Sequence, residues 1–534
     1  MLTIYGQKKI CKNGGSLRGG CDCRPCDFRG RPTPGFERIY ARTDSKKNPP
    51  IPKDKRSSGG LDYIRLDDDA DGILLKFPKF ANKLKKFKNP SLKLSLGNAL
   101  ENRCSFALFA RSAKNGRIFS KLEVVNLFGF QVVRLDIPVS EAAEIENYGL
   151  VVTYTPIEVK DANVRKGEPV CFFAESAAKT LGAHAPHLLA YDAQYDVRRA
   201  FYGNLRSIDS ILPFGWMSGC QTEGLRELAE SGDSAAADAL KLHLNFFLDD
   251  EKGVVFNDPE AHLCENGKFH SVEDFLPFVA IGKLYPNHKS IEMFLDWAEP
   301  QIKYLSNKKP ADRFLSTEGC YTYAYPLMQI AINRRDAGLA QTALDEICAR
   351  IERLVAADGG ISQNVPANKK PAMRNWGRGI AWFMLGIVQT MRALENSPLK
   401  GEKFDGVDLI KKTIADSSKY IKSFQGENGA WSCFIDDEKT LLETSGSVGI
   451  AAAFALAAEA GFIDSSYMER AEKTLNWFMD RENIEPDGFS KNVTQSNRIG
   501  NAFQRSGYRV IMPISSGLAA QIIAVKRRAG ATFS

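Results

Sequence analysis

Histidine is scarce in this chain of 534 residues: there are six, and none of them follows His288. A metal site built on histidine is therefore not expected in the C-terminal part of the chain. The sequence also lacks a Gly-x-x-x-x-Gly-Lys-[Ser/Thr] phosphate-binding loop and a dinucleotide-binding fingerprint, so we expect no nucleotide. We predict that the protein needs no cofactor.

Long apolar runs are absent too. No stretch approaches the roughly 20 apolar residues that span a membrane, and residues 1–6 lack the apolar core of a signal peptide. We therefore expect no membrane partner and a cytoplasmic location. The net charge of +7 is modest for this length. Lysines are dense between Lys79 and Lys88 without regularly interleaved aromatic residues, which is typical of a solvated face and argues against nucleic-acid binding.

The eleven cysteines do not form the framework of a secreted, disulfide-rich protein. Most are scattered singly, as expected for reduced thiols. Four lie close together near the N-terminus: Cys11, Cys21, Cys23 and Cys26. Four thiolates can hold zinc or an iron–sulfur cluster, but this spacing departs from the common paired Cys-x-x-Cys patterns. A glycine-rich arm with surface thiols is the alternative, and we assign no metal to the predicted active site.

The sequence divides into three parts. Residues 1–60 form a Cys- and Gly-rich arm that ends in a linker, 46–60, rich in Pro, Lys, Ser and Gly. Residues 61–170 alternate with a period near two and predict a β-sandwich-like domain. Its expected role is packing against the rest of the protein, with dimerisation or sugar binding as alternatives. A homodimer is the protein partner that we consider.

From residue 171 to residue 534 the pattern is helical. A turn motif recurs in which a glycine precedes alternating apolar and polar residues, at Gly253, Gly359, Gly429 and Gly488. Helices rich in small residues begin near Asp274, Tyr321, Gly377, Ser445 and Ser515. Repeated helix pairs that cannot bury their own faces indicate a closed ring or a solenoid. Because Ala and Gly allow helices to approach closely at a crowded centre, we predict an (α/α)6 toroid and hence an α+β multidomain protein.

The segment 374–386 carries residues suited to an acidic sugar. Arg378 offers a planar, permanently charged fork that matches a carboxylate. Trp376 and Trp382 offer flat apolar faces of the kind on which a sugar ring lies. The alternative is a buried helix in which the arginine forms a salt bridge and the tryptophans are core residues.

The motif Trp376-Gly377-Arg378-Gly379-x-x-Trp382, followed by Leu442–Gly446, resembles the unsaturated glycuronyl hydrolases of glycoside hydrolase families 88 and 105. The segment Glu273–Phe278 resembles their aspartate-bearing helix, and the resemblance covers roughly residues 180–530. It implies an enzyme that removes a 4,5-unsaturated uronic acid from the non-reducing end of oligosaccharides. In these families an aspartic acid protonates the enol-ether double bond, water adds across it, and the resulting hemiketal opens.

The chain departs from the family pattern where the proton donor is expected. After Asp358-Gly359-Gly360 the family usually carries a tryptophan–aspartate pair, whereas this chain has Ser362-Gln363-Asn364. Asn364 cannot donate a proton as an acid does. The acid has therefore moved, or the reaction differs, and the carboxyl groups considered are those of Asp274, Asp358, Glu318 and Glu443. We predict that Asp274 is the general acid, with its pKa raised by burial in an aromatic mouth.

The predicted catalytic residues are thus Asp274, Glu443 and Asp358. The predicted substrate-binding residues are Trp376, Arg378, Trp382, Asn364, Glu318, Tyr321 and Trp431. Each has an alternative structural role: helix capping for Asp274 and Glu443, turn formation for Asp358, and core packing for the aromatic residues.

Three other functions stay open. A saturated β-glucuronidase, as in glycoside hydrolase family 154, would use two carboxyl groups, for which Asp274 and Glu443 are the candidates. A polysaccharide lyase would use a tyrosine base in an open cleft. A non-catalytic carbohydrate-binding toroid is favoured by Asn364. Two carboxyl groups that meet beside Arg378 and a tryptophan in a closed pocket would support a hydrolase.

Overall fold

The computed structural model describes residues 35–52, 55–66, 72–101, 103–159, 169–257 and 266–530. The four clustered cysteines of the N-terminal arm, Cys11, Cys21, Cys23 and Cys26, lie outside these ranges. Within them, no helix is both long enough and apolar enough to cross a bilayer.

The N-terminal part of the described chain is mainly antiparallel β-structure. Its strands are β1 (Phe36–Tyr40), β2 (Tyr63–Leu66), β3 (Ile73–Leu75), β4 (Pro90–Gly97), β5 (Phe106–Ser112), β6 (Ile118–Val124), β7 (Val132–Ile137), β8 (Leu150–Pro156), β9 (Val170–Phe173) and β10 (His187–Asp192), with helix α1 (Ala142–Tyr148) before β8. One sheet has the strand order β1-β10-β4-β7, a second has the order β3-β8-β5-β6, and β2 pairs with β9.

The alternating pattern of these strands buries one face of each sheet. Leu94 in β4, Leu108 in β5 and Val152 in β8 belong to one hydrophobic cluster that draws on both four-stranded sheets. Strand β10 lies beyond residue 170, where the sequence pattern set the end of the β-rich part, and it pairs with both β1 and β4. In the segment 46–60, Lys47 forms an isolated backbone β-bridge with Ile64, and Ser57 forms one with Leu100. The described residues of this segment therefore run along the β-structure.

The C-terminal part is helical, with short strands between the helices. The helices are α2 (Val197–Leu205), α3 (Trp216–Glu230), α4 (Ser234–Phe247), α5 (Phe278–Leu284), α6 (Lys289–Ser306), α7 (Tyr325–Arg334), α8 (Ala337–Leu354), α9 (Gly377–Glu395), α10 (Val407–Lys422), α11 (Thr444–Glu459), α12 (Tyr467–Phe478), α13 (Asn501–Gln504) and α14 (Ile514–Arg528). The strands are β11 (Leu248–Asp249), β12 (Gly253–Val254), β13 (Leu315–Ser316), β14 (Ser362–Val365), β15 (Ala372–Arg374), β16 (Ser432–Phe434) and β17 (Asp437–Leu442).

Six of these helices form a closed inner ring. Helices α3, α5, α7, α9, α11 and α14 each contact the next, and α14 returns to contact α3. Helices α4, α6, α8, α10 and α12 alternate with them along the chain, and α2 contacts α14. The predicted (α/α)6 toroid is therefore confirmed. Five inner helices were predicted from their small residues, whereas α3, which carries the same pattern in Ser218, Gly219 and Cys220, was not.

Glycine allows the inner helices to touch along their backbones. A Cβ atom on Gly517 would lie 2.2 Å from the carbonyl oxygen of Cys220, so α14 and α3 close the ring through direct backbone contact. The four turn glycines that the sequence singled out have φ angles between 82° and 93°, in the left-handed region that side chains disfavour.

Buried ion pairs join the β-structure to the toroid. Arg134 of β7 pairs with Glu485 at 3.1 Å and with Asp487 at 2.8 Å, and each of the three side chains is at most 2% exposed. Arg38 of β1 pairs with Asp487 at 3.2 Å. Since both acidic residues lie between α12 and α14, the β-structure is held against that side of the ring.

Candidate active site

A small cavity lies at the mouth of the ring, where the inner helices begin. Its walls include Trp216, Glu273, Glu318, Trp376, Arg378 and Trp382 from the toroid, Ser496, Asn497 and Arg498 from the loop before α13, and Arg103 and Phe128 from the β-structure. Its volume is about 20 Å³, which is room for about one water molecule. The β-structure and the loop thus cover a mouth that the toroid alone would leave open.

Arg378 presents an unpaired cation to this cavity. Its Nε donates to Ser445 Oγ at 3.1 Å, and its Nη2 donates to the backbone oxygen and Oγ1 of Thr494. Within the described ranges, Nη1 has no hydrogen-bond partner and the guanidinium forms no salt bridge. Burial lowers the pKa of Arg378, and the charge of nearby Glu443, which forms no salt bridge with it, offsets this only in part, so a direct ionic partner is missing. An anion entering the cavity would supply that partner.

Glu318 is the most deeply enclosed carboxyl group of the cavity. Both of its side-chain oxygens accept hydrogen bonds from Gln363 Nε2, at 2.8 and 2.9 Å. The group is only 7% exposed, and burial raises its pKa. It sits between β13 and a π-helical turn, Cys320–Ala324, that leads into α7. Wide turns of this kind recur at functional sites, and Glu318 lies two residues before the start of this one.

Glu273 is the second carboxyl group of the cavity. It lies in the 3₁₀ turn Val272–Asp274 and pairs with Arg498 at 3.9 Å. Its side chain is 24% exposed, so it is better solvated than Glu318. Two carboxyl groups of different environment therefore face one cavity beside Arg378.

The tryptophans form an aromatic wall. Trp216 meets Trp382 edge to face, with ring centroids 5.8 Å apart. Trp376 lies against the Arg378 guanidinium, with the carbon of that group 5.3 Å from the ring centroid. Tyr321 stacks behind Trp382 at 6.0 Å, is fully buried and accepts a hydrogen bond from Gln521 Nε2 at 3.1 Å. It supports the wall without lining the cavity.

Asp274, the predicted general acid, caps its own turn. Its Oδ2 accepts from the backbone N–H groups of His270 at 2.6 Å and Ser271 at 3.1 Å. The residue is fully buried and does not line the cavity. Its neighbour Glu273 points into the cavity instead.

The other two predicted catalytic residues also make structural contacts. Glu443 caps α11 and accepts from the backbone N–H groups of Ser445 and Thr494, both at 3.0 Å. It thereby fixes the same residues to which Arg378 donates. Asp358 lies in an exposed turn, where it accepts from the Gly360 N–H at 3.1 Å and pairs with Arg374.

Two further predicted binding residues lie away from the cavity. The Asn364 amide donates to Gln363, so Asn364 stands behind the residue that holds Glu318. The Trp431 indole donates to the Ile421 carbonyl at 3.0 Å and packs in the core. Of the predicted residues, the structure brings together Glu318, Trp376, Arg378 and Trp382.

Several cavity residues were missed from the sequence. Trp216 begins α3, whose small-residue pattern would have revealed it as an inner helix. The sequence alone does not show which of the neighbours Glu273 and Asp274 faces the cavity. Arg103, Phe128 and Arg498 arrive from distant loops and carry no local signal. Among the described residues, no group of three or more His, Cys, Asp or Glu side chains is placed to hold a metal ion.

The ring of six inner helices, with a small cavity at its mouth, defines the fold of the protein as an (α/α)6 toroid. The model of Glycosyl Hydrolase Family 88 matches residues 360–524, which confirms the resemblance and the hydrolase class that the Trp376–Trp382 motif indicated. No curated protein matches the chain.

Solved structures share the fold at low sequence identity. A possible member of glycoside hydrolase family 105 from Klebsiella pneumoniae has a TM-score of 0.50 and 15% identity, over 70% of this chain and 99% of that one. A family 105 glycoside hydrolase from C. acetobutylicum has a TM-score of 0.50 and 13% identity, over 62% of this chain and 100% of that one. A less similar structure, that of an unsaturated glucuronyl hydrolase from Bacillus sp. GL1, has a TM-score of 0.44 and 14% identity, over 62% of this chain and 94% of that one.

Proposed function

We propose that this protein removes a terminal unsaturated uronic acid from oligosaccharides, with Glu318 as the proton donor and Arg378 as the partner of the uronate. The observation that carries the proposal is the unpaired, buried Arg378 guanidinium beside a buried glutamic acid of raised pKa. The first favours an anion as its partner, and burial keeps the second protonated to a higher pH than an exposed glutamic acid. The family match over residues 360–524 supports the reaction class.

The chemistry follows from these two groups. Arg378 Nη1 donates to the carboxylate of the sugar, and the ring lies against Trp376 or Trp382. Glu318 gives its proton to one carbon of the double bond, and water adds to the other. The water loses a proton, which restores Glu318, and the resulting hemiketal opens to release the rest of the chain. The cavity of about 20 Å³ has room for about one water molecule, so the sugar ring enters only when the covering loop with Ser496, Asn497 and Arg498 moves aside.

The surroundings of Tyr321 weigh against a lyase. A lyase base must lose its phenolic proton, whereas burial raises the pKa of Tyr321 well above its ordinary value. The mouth is also a closed pocket, and a lyase that cuts within a polymer needs an open cleft.

Glu273 supports a second candidate, hydrolysis of a saturated β-glucuronide. Its carboxylate shares the cavity with Glu318, so one group can act as the acid and the other as the base or nucleophile. In that reaction Glu273 is indispensable, whereas protonation of a double bond needs only Glu318.

The β-sandwich-like part, in this proposal, serves to close the mouth. Phe128 and Arg103 line the cavity, and Gln495 of the covering loop donates to the backbone oxygen of Val125 at 3.1 Å. The contact fixes the covering loop to the β-structure, so the pocket is shared between the two parts of the chain.

The test compares two conservative variants on an unsaturated uronyl disaccharide, followed by loss of the double-bond absorbance. Glu318→Gln keeps the shape and removes the acid, so kcat should fall at least 100-fold, the low end of general acid catalysis, which is roughly 10²–10⁴-fold. Asp274→Asn should retain far more activity, because Asp274 caps a turn.

If Asp274→Asn is inactive and Glu318→Gln is active, the proton donor is Asp274 and not Glu318. Glu273→Gln distinguishes hydration of the double bond from hydrolysis of a saturated β-glucuronide. If the protein hydrates the double bond, this variant should retain activity on the unsaturated substrate. Folding of each variant is checked by its thermal midpoint.

A further inference from the structure

A larger cavity adjoins the one at Glu318. Its volume is about 420 Å³, inside the range of roughly 300–1,000 Å³ that is usual for ligand sites. Glu273 and Arg498 line both cavities, so their ion pair at 3.9 Å forms the partition between them. The segment that carries Glu318 also contributes Ser316 and Tyr323 to the larger cavity. The two spaces are therefore neighbours that share their walls.

Aromatic side chains at the rim of the larger cavity stand in solvent. Tyr304 is 57% exposed and Phe314 is 66% exposed, and Trp297 lies deeper in the same wall. Large aromatic side chains are costly to leave in water. Flat aromatic faces grouped beside a sugar-processing pocket are suited to stack on the apolar faces of further sugar rings.

Buried polar groups inside this cavity lack partners. The Tyr323 hydroxyl and the Arg313 Nε have no hydrogen-bond partner among the described residues, although both side chains are more than nine-tenths buried. The far end of Arg313 is paired with Glu346 at 2.5 Å, which fixes the orientation of the guanidinium. Buried donors without partners are costly, and sugar hydroxyl groups would satisfy both.

We propose that the larger cavity binds the sugar residues on the leaving side of the bond that is cleaved next to Glu318. This inference rests on the proposed function and narrows its substrate class to oligosaccharides longer than a disaccharide. The bound chain passes the Glu273–Arg498 pair, stacks on Tyr304 and Phe314, and accepts a hydrogen bond from Arg313 Nε. Tyr323 exchanges a hydrogen bond with a sugar hydroxyl. No new bond chemistry is required, since the cavity only binds.

The test is a chain-length series on the whole protein. The kcat/KM values for unsaturated di- and tetrasaccharides, prepared with lyases from several uronic-acid polysaccharides, are compared in wild type, Tyr304→Ala, Phe314→Ala and Tyr323→Phe. For the polysaccharide whose fragments are cleaved best, we expect the kcat/KM of the tetrasaccharide to exceed that of the disaccharide about tenfold. Each alanine variant should remove most of this difference. Calorimetry with tetrasaccharides that lack the terminal double bond measures binding independently of cleavage.

Tyr148→Ala is the matched control. Tyr148 is 48% exposed on the β-structure and has Lys114 5.4 Å from its ring centroid, as Tyr304 has Lys308 at 4.2 Å. The control should leave the tetrasaccharide advantage unchanged.

The outcomes separate this inference from the proposed function. Cleavage without a chain-length advantage, or with one that survives both alanine substitutions, overturns the inference and leaves the proposed function intact. Absence of cleavage together with tetrasaccharide binding that Tyr304→Ala weakens contradicts the proposed function and supports a sugar site in the cavity. Absence of both cleavage and variant-sensitive binding overturns the two together.

Discussion

Glu318 owes its suitability as an acid to its surroundings. Burial opposes its ionisation and outweighs the hydrogen bonds that favour the carboxylate, which come from its own backbone N–H, from Gln363, which donates to both oxygens, and from Ser316 and Thr317. The sequence already made Glu318 a candidate for the acid, but the proposal that it replaces Asp274 in this role depends on the folded structure. Adjacent residues in a 3₁₀ turn point about 120° apart, so only the folded turn shows that Asp274 caps it while Glu273 lines the cavity.

The pH dependence of kcat/KM follows from the state of Glu318. A general acid works while it is protonated, so activity is present at low pH and is lost as the pH rises through the raised pKa. The alkaline limb of the profile should therefore lie above the ordinary glutamic acid value of 4.5.

Replacing Gln363 tests directly how hydrogen bonding offsets burial in setting the pKa of Glu318. Gln363→Ala removes hydrogen bonds that stabilise the charged form, so the pKa of Glu318 should rise further and the alkaline limb should move to higher pH. A limb that stays in place or moves down would contradict the assignment of Glu318.

At the scale of the helices, closure of the ring depends on glycine. Small residues at the starts of the inner helices predicted close approach, and the backbone contact between Gly517 and Cys220 bears this out. The partner of each glycine was not predictable, because ring closure brings together α3 and α14, which are separated by most of the toroid.

Gly517→Ala should destabilise the protein by about 1–3 kcal/mol, the usual cost of overpacking a core, and should lower the thermal midpoint. Gly203→Ala in α2 is the matched control. A Cβ atom there meets nothing within 4 Å, and alanine is the better helix former, so the midpoint should hold or rise. Equal losses in both variants would contradict the backbone-contact account of ring closure.

At the scale of the whole molecule, the β-structure and the toroid are joined by buried charge. The period-two pattern predicted the β-rich part, and the helical repeats predicted the ring. The pairing of Arg134 with Glu485 and Asp487 spans more than 300 positions, and a sequence pattern cannot reveal such a contact. The same holds for Arg103 and Phe128, which reach the cavity from the β-structure.

Arg134→Met should cost about 3–5 kcal/mol, because it leaves two buried carboxylates short of a partner. Arg117→Met is the control, since Arg117 is 51% exposed and pairs with Glu141 at the surface, where ion pairs contribute little to stability. A thermal midpoint that moves equally in the two variants would show that the buried pairs do not hold the parts together.

The acid sensitivity of the protein should come from the same cluster. Arg134 and neighbouring cations hold the pKa of Glu485 at about 2, although burial opposes this. A lowered pKa adds stability above the ordinary value of 4.5, and that stability is lost as the pH falls from 4.5 towards 2. The unfolding midpoint of wild type should therefore fall across this window.

The most direct test of the proposed function uses two tetrasaccharides that differ only in the C4–C5 double bond of the terminal uronic acid. Release of that residue is followed by chromatography with wild-type protein. We expect release from the unsaturated tetrasaccharide and none from the saturated one, because the proposed reaction begins with protonation of the double bond by Glu318. Release from the saturated tetrasaccharide at a comparable rate would contradict it and would assign the cavity to a two-carboxylate glucuronidase.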